Sequence, residues 1–486
     1  MMHARSTAAT ALAVLALYAC GGTGTDASGL GGDQAGASGK AGASGKAGAS
    51  GASGKAGTAG VSGSGQAGTG VTGGSSATGG TSAAGASGAS GGAGSGNAGT
   101  GAGGSSTGGA PGTGGAGGDV FGGGGSPTTG GSGGNPLGCN PTMPDQDKDG
   151  FTVAQGDCND CDPNVNPGAV DVLQLDAAGN PLPASQQTDN DCDGKVATPE
   201  AFVCDDALAI DSADPFDGAK AMELCQKQSG GKWGIITASY VQIDDKAVPG
   251  GDAALGHGIL SAFGPNVAPQ RGKRMFAVSS GTARQPTDPG YKSVGGFSKG
   301  YTSGFLPGFP IESPACPGTT TGTPNDSIAL KLHIKVPTNA KSFSFKFKFY
   351  TYEFPSFICS TYNDFFTVLM APPPADVNQT NKNITFDAMK NPVSVNNAFL
   401  DVCKPQTAGG KNFTCVAGTS QLDGTGFEGH AATSWLSTQA NVTPGSDIWL
   451  EFAAFDSGDG ILDSTGLVDD FKWSATPGMG TSTHKP

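Results

Sequence analysis

Apolar and polar residues alternate strictly along two stretches of the chain. Ile328, Leu330, Leu332, Ile334 and Val336 interleave with Ala329, Lys331, His333 and Lys335. Phe343, Phe345, Phe347 and Phe349 interleave with Ser344, Lys346 and Lys348. A period of two sends alternate side chains to opposite faces, so each stretch predicts a half-buried antiparallel strand. Residues 365–370, 448–455 and 466–473 predict further strands. One helix is expected over about 214–228, with Pro215 in its first turn and Ala219, Met222 and Cys225 along one face. Many strands separated by Gly, Pro and Asn turns, with one early helix, predict a mainly β protein whose C-terminal part is an antiparallel β-sandwich.

The rest of the chain does not share this pattern. It has 486 residues, 85 of them Gly, and residues 21–138 are almost wholly Gly, Ala, Ser and Thr. Glycine falls at every third position over 36–63, but the first proline is Pro111, which argues against a collagen helix. A segment without aromatic or branched apolar residues cannot offset its ordering entropy, so residues 20–138 are expected to be a disordered tether. Its reach is roughly 55–65 Å, from about 5–6 Å × √n. Ahead of it stand Arg5, an apolar run over 8–19 too short to span a bilayer, and Leu17-Tyr18-Ala19-Cys20. This end resembles a bacterial lipobox, with residues 1–19 as signal peptide and Cys20 as the lipidated residue. The alternative is a plain secretory signal with an incidental cysteine. Gly21 after the cysteine resembles the outer-membrane sorting pattern. The resemblance implies a protein held at the outer membrane or cell surface, with the lipid bilayer as a partner.

Charge is concentrated in residues 139–206, which hold 14 acidic and 2 basic groups within a chain of net charge −14. No stretch carries a basic footprint, which counts against nucleic acid. Ten cysteines besides Cys20 suit five disulfides in an oxidising compartment, with Cys403 and Cys415 a close pair flanked by turn residues. The acidic segment contains Asp145, Asp147 and Asp149 followed by Gly150, then Asp157, Asn159, Asp160 and Asp162, and finally Asp189, Asp191 and Asp193 followed by Gly194, with Glu200 six residues further on. Alternating carboxylates on a curling loop turn their oxygens inward and suit a hard cation with six to eight oxygen ligands. Without His, and with its cysteines expected to be paired, the segment favours Ca2+ over copper or zinc. Pro181, Pro183 and Pro199 argue against a true EF-hand. The competing reading is a solvated acidic linker. The elements at 145–150, 156–160, 166–169 and 189–194 together resemble a metal-binding-motif family of exported bacterial proteins. They are also similar to thrombospondin type 3 repeats, in which calcium stands in for a hydrophobic core. Cys161 is an addition to the family pattern.

In the C-terminal part, Phe349-Tyr350-Thr351-Tyr352-Glu353-Phe354-Pro355, Asn363-Asp364-Phe365, Gly256-His257-Gly258 and the acids from Asp456 to Asp470 resemble the choice-of-anchor L family of exported bacterial proteins. The resemblance implies a surface-displayed, jelly-roll-like sandwich over 207–475, followed by a tail at 476–486, with no established catalytic residues. Glu353, Asp364, Asp456, Asp459 and Asp463 form a second candidate metal site. The competing reading has them capping turns and strand ends. Gly296-Phe297-Ser298-Lys299-Gly300 matches the nucleophile-elbow pattern but lacks the strand before it and the helix after it. The chain is therefore expected to be a non-catalytic, calcium-binding surface lipoprotein that presents its sandwich for adhesion to an extracellular protein or glycan ligand. A copper-scavenging surface protein and a carbohydrate-active or hydrolytic exported enzyme are the alternatives.

Overall fold

The computed structural model describes residues 144–198, 203–396 and 399–486, all within the compact unit Asp119–Pro486. The expected signal segment, Cys20 and the tether lie outside the described residues. In chain order the strands are β1 (Gly234–Val241), β2 (His257–Leu260), β3 (Met275–Ser279), β4 (Pro324–Lys335), β5 (Ser342–Thr351), β6 (Phe365–Ala371), β7 (Val393–Ser394) and β8 (Leu400–Val402). They continue with β9 (Gln406–Ala408), β10 (Lys411–Phe413), β11 (Ala431–Thr433), β12 (Leu436–Asn441), β13 (Asp447–Ser457), β14 (Ser464–Ser474) and β15 (Ser482–His484). One sheet runs β1-β4-β13-β6-β7, a second runs β15-β12-β5-β14-β3-β2 with β11 and β8 branching from β5, and β9 and β10 form a two-stranded sheet, with antiparallel pairing throughout.

The period-2 residues meet between the sheets. Ile328, Leu330, Leu332 and Ile334 of β4 and the four alternating phenylalanines of β5 are buried in one cluster. Phe345 packs edge-on to Phe452 at 5.4 Å between ring centres, and Phe347 stacks on Phe366 at 4.9 Å, so aromatic pairs join the two sheets. The fold is the expected antiparallel sandwich.

The helix is shorter than its apolar spacing suggests. It covers Pro215–Lys220, with the Asp214 carboxylate capping the Phe216 N–H at 3.0 Å. Glu223 then adopts φ +67°, and a disulfide holds Cys225 to Cys204. Gln226 and Gln228 exchange backbone hydrogen bonds with Ile235, so the segment expected to finish the helix runs beside β1 instead. A cross-link and a left-handed residue override the pattern.

The acidic segment folds without regular strands and docks on the turn between β4 and β5. Thr338 donates its N–H to the Gly168 carbonyl at 2.9 Å and its hydroxyl to Asn166 Oδ1 at 2.7 Å. Asn339 brackets Val170, accepting from its N–H at 3.0 Å and donating to its carbonyl at 2.8 Å. The Asn166-Pro167-Gly168-Ala169 turn is thus the docking key, and Asn166 and Ala169 are fully buried.

Candidate metal centre

The two aspartate-rich loops are conformational copies. Gly150 donates its N–H to Asp145 Oδ2 at 3.2 Å, and Gly194 donates to Asp189 Oδ2 at 2.9 Å. Asp147 Oδ1 accepts from Asp149 at 3.2 Å, and Asp191 Oδ1 accepts from Asp193 at 3.1 Å. Asp149 Oδ1 accepts from Phe151 and Asp193 Oδ1 from Lys195, each at 2.8 Å. The fourth position is left-handed in both loops, at Lys148 (φ 66°) and Cys192 (φ 56°), as is the closing glycine at φ 96° and 85°. Short carboxylates that bind the backbone two residues on curl the chain in this way. Asp145 and Asp189 use both oxygens on the backbone, whereas Asp147, Asp149 and Asp191 use only Oδ1 on their turns.

Side-chain oxygens of the acidic segment converge. Ligand atoms of Asp145, Asp147 and Asp160 lie within 4.8 Å of one another, as do those of Asp147, Asp149 and Asp157, so Asp147 belongs to both groups. Asp171, Asp189 and Asp191 form a third group under the same limit. Asp147 Oδ2, Asp149 Oδ2, Asp157 Oδ2 and Asn159 Oδ1 are buried with no hydrogen-bond partner. The disulfide between Cys158 and Cys192 (Cα–Cα 5.7 Å) ties the two loops together. Asn190 braces them, donating its N–H to Asp171 Oδ1 at 2.7 Å and its side-chain amide to the Asn164 carbonyl at 3.1 Å. Cys161 is disulfide-bonded as well.

Burial, with Asp147 and Asp157 nearby, pushes Asp149 up to about 6. Burial and the neighbouring Asp171 and Asp193 push Asp191 up to about 6. Asp147, Asp157 and Asp171 are raised too, burial being the largest cause in each. Clustered anions in a partly desolvated pocket resist ionisation unless a cation joins them.

Some expected ligands stand apart from these groups. Asp162 Oδ1 accepts from both the backbone and the side chain of Asn164, and Asp193 pairs with Lys195 at 3.0 Å. Glu200 lies outside the described residues. Asp171 was missed by the sequence reading, because it is brought to the second loop only by folding.

A separate set of acids is buried at the opposite end of the sandwich. Asp326 opens β4, Glu353 follows β5, Asp364 precedes β6, Asp456 ends β13 and Asp463 precedes β14. All five are 2% exposed or less, while Asp459 is half-buried. Burial and the nearby Asp364 push Glu353 up to about 10. Burial pushes Asp364 up to about 7 and holds Asp456 and Asp463 well above the usual carboxylate range. Asp326 and Lys299, which faces the group, were not singled out from sequence. Ser298, the would-be nucleophile, donates its hydroxyl to Asp326 Oδ2 at 2.9 Å.

Residues 317–468 match the choice-of-anchor L domain. The match contains Glu353, Asp364, Asp456 and Asp463, and the domain type indicates a surface-anchored protein with a β-rich fold. No curated protein matches the chain. Among the described residues, no helix is long and apolar enough to cross a membrane. Cys403 and Cys415, inside the choice-of-anchor L domain, are disulfide-bonded, with their Cα atoms 5.1 Å apart.

Proposed function

We propose that this chain is a non-catalytic, lipid-anchored lipoprotein of the outer membrane surface, in which calcium orders the Cys-rich module and the choice-of-anchor L sandwich is presented for adhesion or ligand recognition. The observation that carries the calcium reading is the convergence of carboxylate oxygens at two loops of one conformation, with Asp147 Oδ2, Asp149 Oδ2 and Asp157 Oδ2 at the first buried and unpaired. An all-oxygen donor set suits a hard cation, and the neighbouring sulfurs are locked in disulfides, which counts against copper. The copied loops would bind in the range of extracellular modules, roughly 10⁻⁴–10⁻³ M.

The non-catalytic reading is supported by the closure of the buried acids. A glycosidase needs two carboxyl groups facing one cleft, whereas Glu353, Asp364, Asp456 and Asp463 are sealed from solvent. For recognition, the outer face of the five-stranded sheet offers a recess of about 290 Å³ lined by Trp449, Lys331, Glu451 and Asn381. Trp449 is 38% exposed there, which suits contact with an extracellular protein or glycan.

Thermal unfolding of the full chain in chelator and in millimolar calcium tests the calcium reading. Calcium is expected to raise the midpoint, stabilising by about 2 kcal/mol when its concentration exceeds Kd by about 20–30-fold. Superimposable curves would contradict it.

A further inference from the structure

The recess on the outer face of the five-stranded sheet is built by strand register. β13 lies between β4 and β6, so Trp449 stands between His333 and Ala371, and Glu451 stands between Lys331 and Leu369. Alternate residues of a strand share a face, so these side chains form two adjacent rows. His333 stacks on one side of the Trp449 indole, with ring centres 4.3 Å apart and planes 6° from parallel. On the other side register places only the Ala371 methyl. The recess lies there, lined by Ala371, Leu369 and Trp449 but not by His333. A large, rigid apolar surface therefore borders the cavity.

The polar groups of the recess are incompletely satisfied. Glu451 is 8% exposed, and the Lys331 ammonium stands 3.7 Å from its Oε2, whereas Oε1 is buried with no hydrogen-bond partner. A buried acceptor in that state is unfavourable until a donor reaches it. Asp245 pairs with Lys331 and supplies no donor. At the rim, Asn381 Oδ1 accepts the Asn383 N–H at 3.1 Å, which leaves the Asn381 Nδ2 group as a donor. Lys331 and Lys382 line the recess with Asp245 and Glu451, so its charges balance.

This lining selects a ligand by its chemistry. Balanced charge favours an uncharged molecule, because an added anion would meet Glu451 and an added cation would meet the lysines. The indole asks for a flat C–H surface. Glu451 Oε1 asks for a donor, and Asn381 Nδ2 and the Lys382 ammonium ask for acceptors, so neighbouring groups of the ligand must do both. Vicinal hydroxyls on a pyranose ring meet all of these conditions. A cavity of about 290 Å³ takes a small ligand rather than the surface of a protein.

We infer that this recess binds a neutral hexopyranose, with the C–H face of the sugar on Trp449 and a hydroxyl donating to Glu451 Oε1. The inference rests on the recognition role proposed above and narrows it to a glycan.

The test is saturation-transfer NMR on the full chain with the methyl pyranosides of glucose, galactose and mannose, beside glucuronate and glucosamine as charged counterparts. Transfer to ring C–H protons of at least one neutral sugar is expected, and to neither charged sugar at the same concentration. Trp449→Ala should abolish it. Glu451→Met removes the acceptor with little change in volume and should weaken binding by about tenfold or more, the usual loss for a hydrogen bond to a charged group. A shift of the Trp449 indole N–H resonance on adding the sugar to the wild type gives the same answer without a variant. Transfer to none of the neutral sugars, to a charged sugar alone, or undiminished in a folded Trp449→Ala protein would overturn the inference. Retention of the full chain on deglycosylated fibrinogen that is lost in Trp449→Ala, with no sugar bound, would overturn the glycan and leave the recognition reading standing. Absence of both kinds of binding would overturn the two together.

Discussion

Lys348 shows how far a single residue can depart from its ordinary chemistry. Its place in a period-2 strand predicts an exposed ammonium, yet it is fully buried, donating to Gln421 Oε1 at 2.6 Å and to the Thr433 carbonyl. Burial pulls its pKa down to about 7. A lysine depressed on folding binds fewer protons folded than unfolded, so it makes stability rise with pH from about 7 towards its unfolded value near 10.4. The limiting slope is about 1.4 kcal/mol per pH unit. Lys348→Met removes this dependence. Urea midpoints at pH 7 and pH 9 should show the wild type gaining on the variant by on the order of 1–2 kcal/mol. Parallel behaviour of the two proteins would mean that Lys348 stays charged. At this scale the sequence was readable where chemistry is local. The aspartates at 145, 147, 149, 189 and 191 converge because each binds the backbone a few residues on. Asp171 and Asp326 were not readable, because their partners arrive from distant segments.

Among the elements, the alternating strands followed directly from pattern, since a strand with one face in a core must repeat every second residue. β13 and β14 extend only one or two residues beyond the expected stretches. The helix did not follow, because the disulfide between Cys204 and Cys225 outweighs apolar spacing. The turn at 166–169 was legible as a family element, but its role as docking key needed the fold. There Gly168 leaves no room for a side chain, as a Cβ would sit 2.9 Å from both the Phe151 ring and Thr338 Cγ2. Gly168→Val should destabilise the docked module by about 1–3 kcal/mol, the usual cost of overpacking. Hydrogen exchange at Val170 and Thr338, whose N–H groups close this contact, would rise in the variant. Unchanged protection would show that the turn is not the fastening point.

At the scale of the molecule, carboxylates gather at both ends of the same long strands. The Cys-rich module sits on the β4–β5 turn, and the buried acids lie where β4 begins and β5 ends. Among its described residues the module has almost no hydrophobic interior of its own, with Phe151, Val165 and Ala169 as the buried apolar residues. Disulfides, the docking turn and the converging acids therefore have to hold its shape. Small domains that cannot build a core use cross-links and metals in this way. The sandwich, by contrast, has a continuous aromatic core besides its disulfides Cys316–Cys359 and Cys403–Cys415.

Isothermal titration of the metal-free full chain with calcium chloride, run beside the Asp147→Asn, Asp191→Asn double variant, tests the central claim most directly. Saturable binding in the wild type that is lost or weakened at least tenfold in the variant is the predicted result. Equal binding by both proteins, or none by either, would contradict a calcium role for the paired loops.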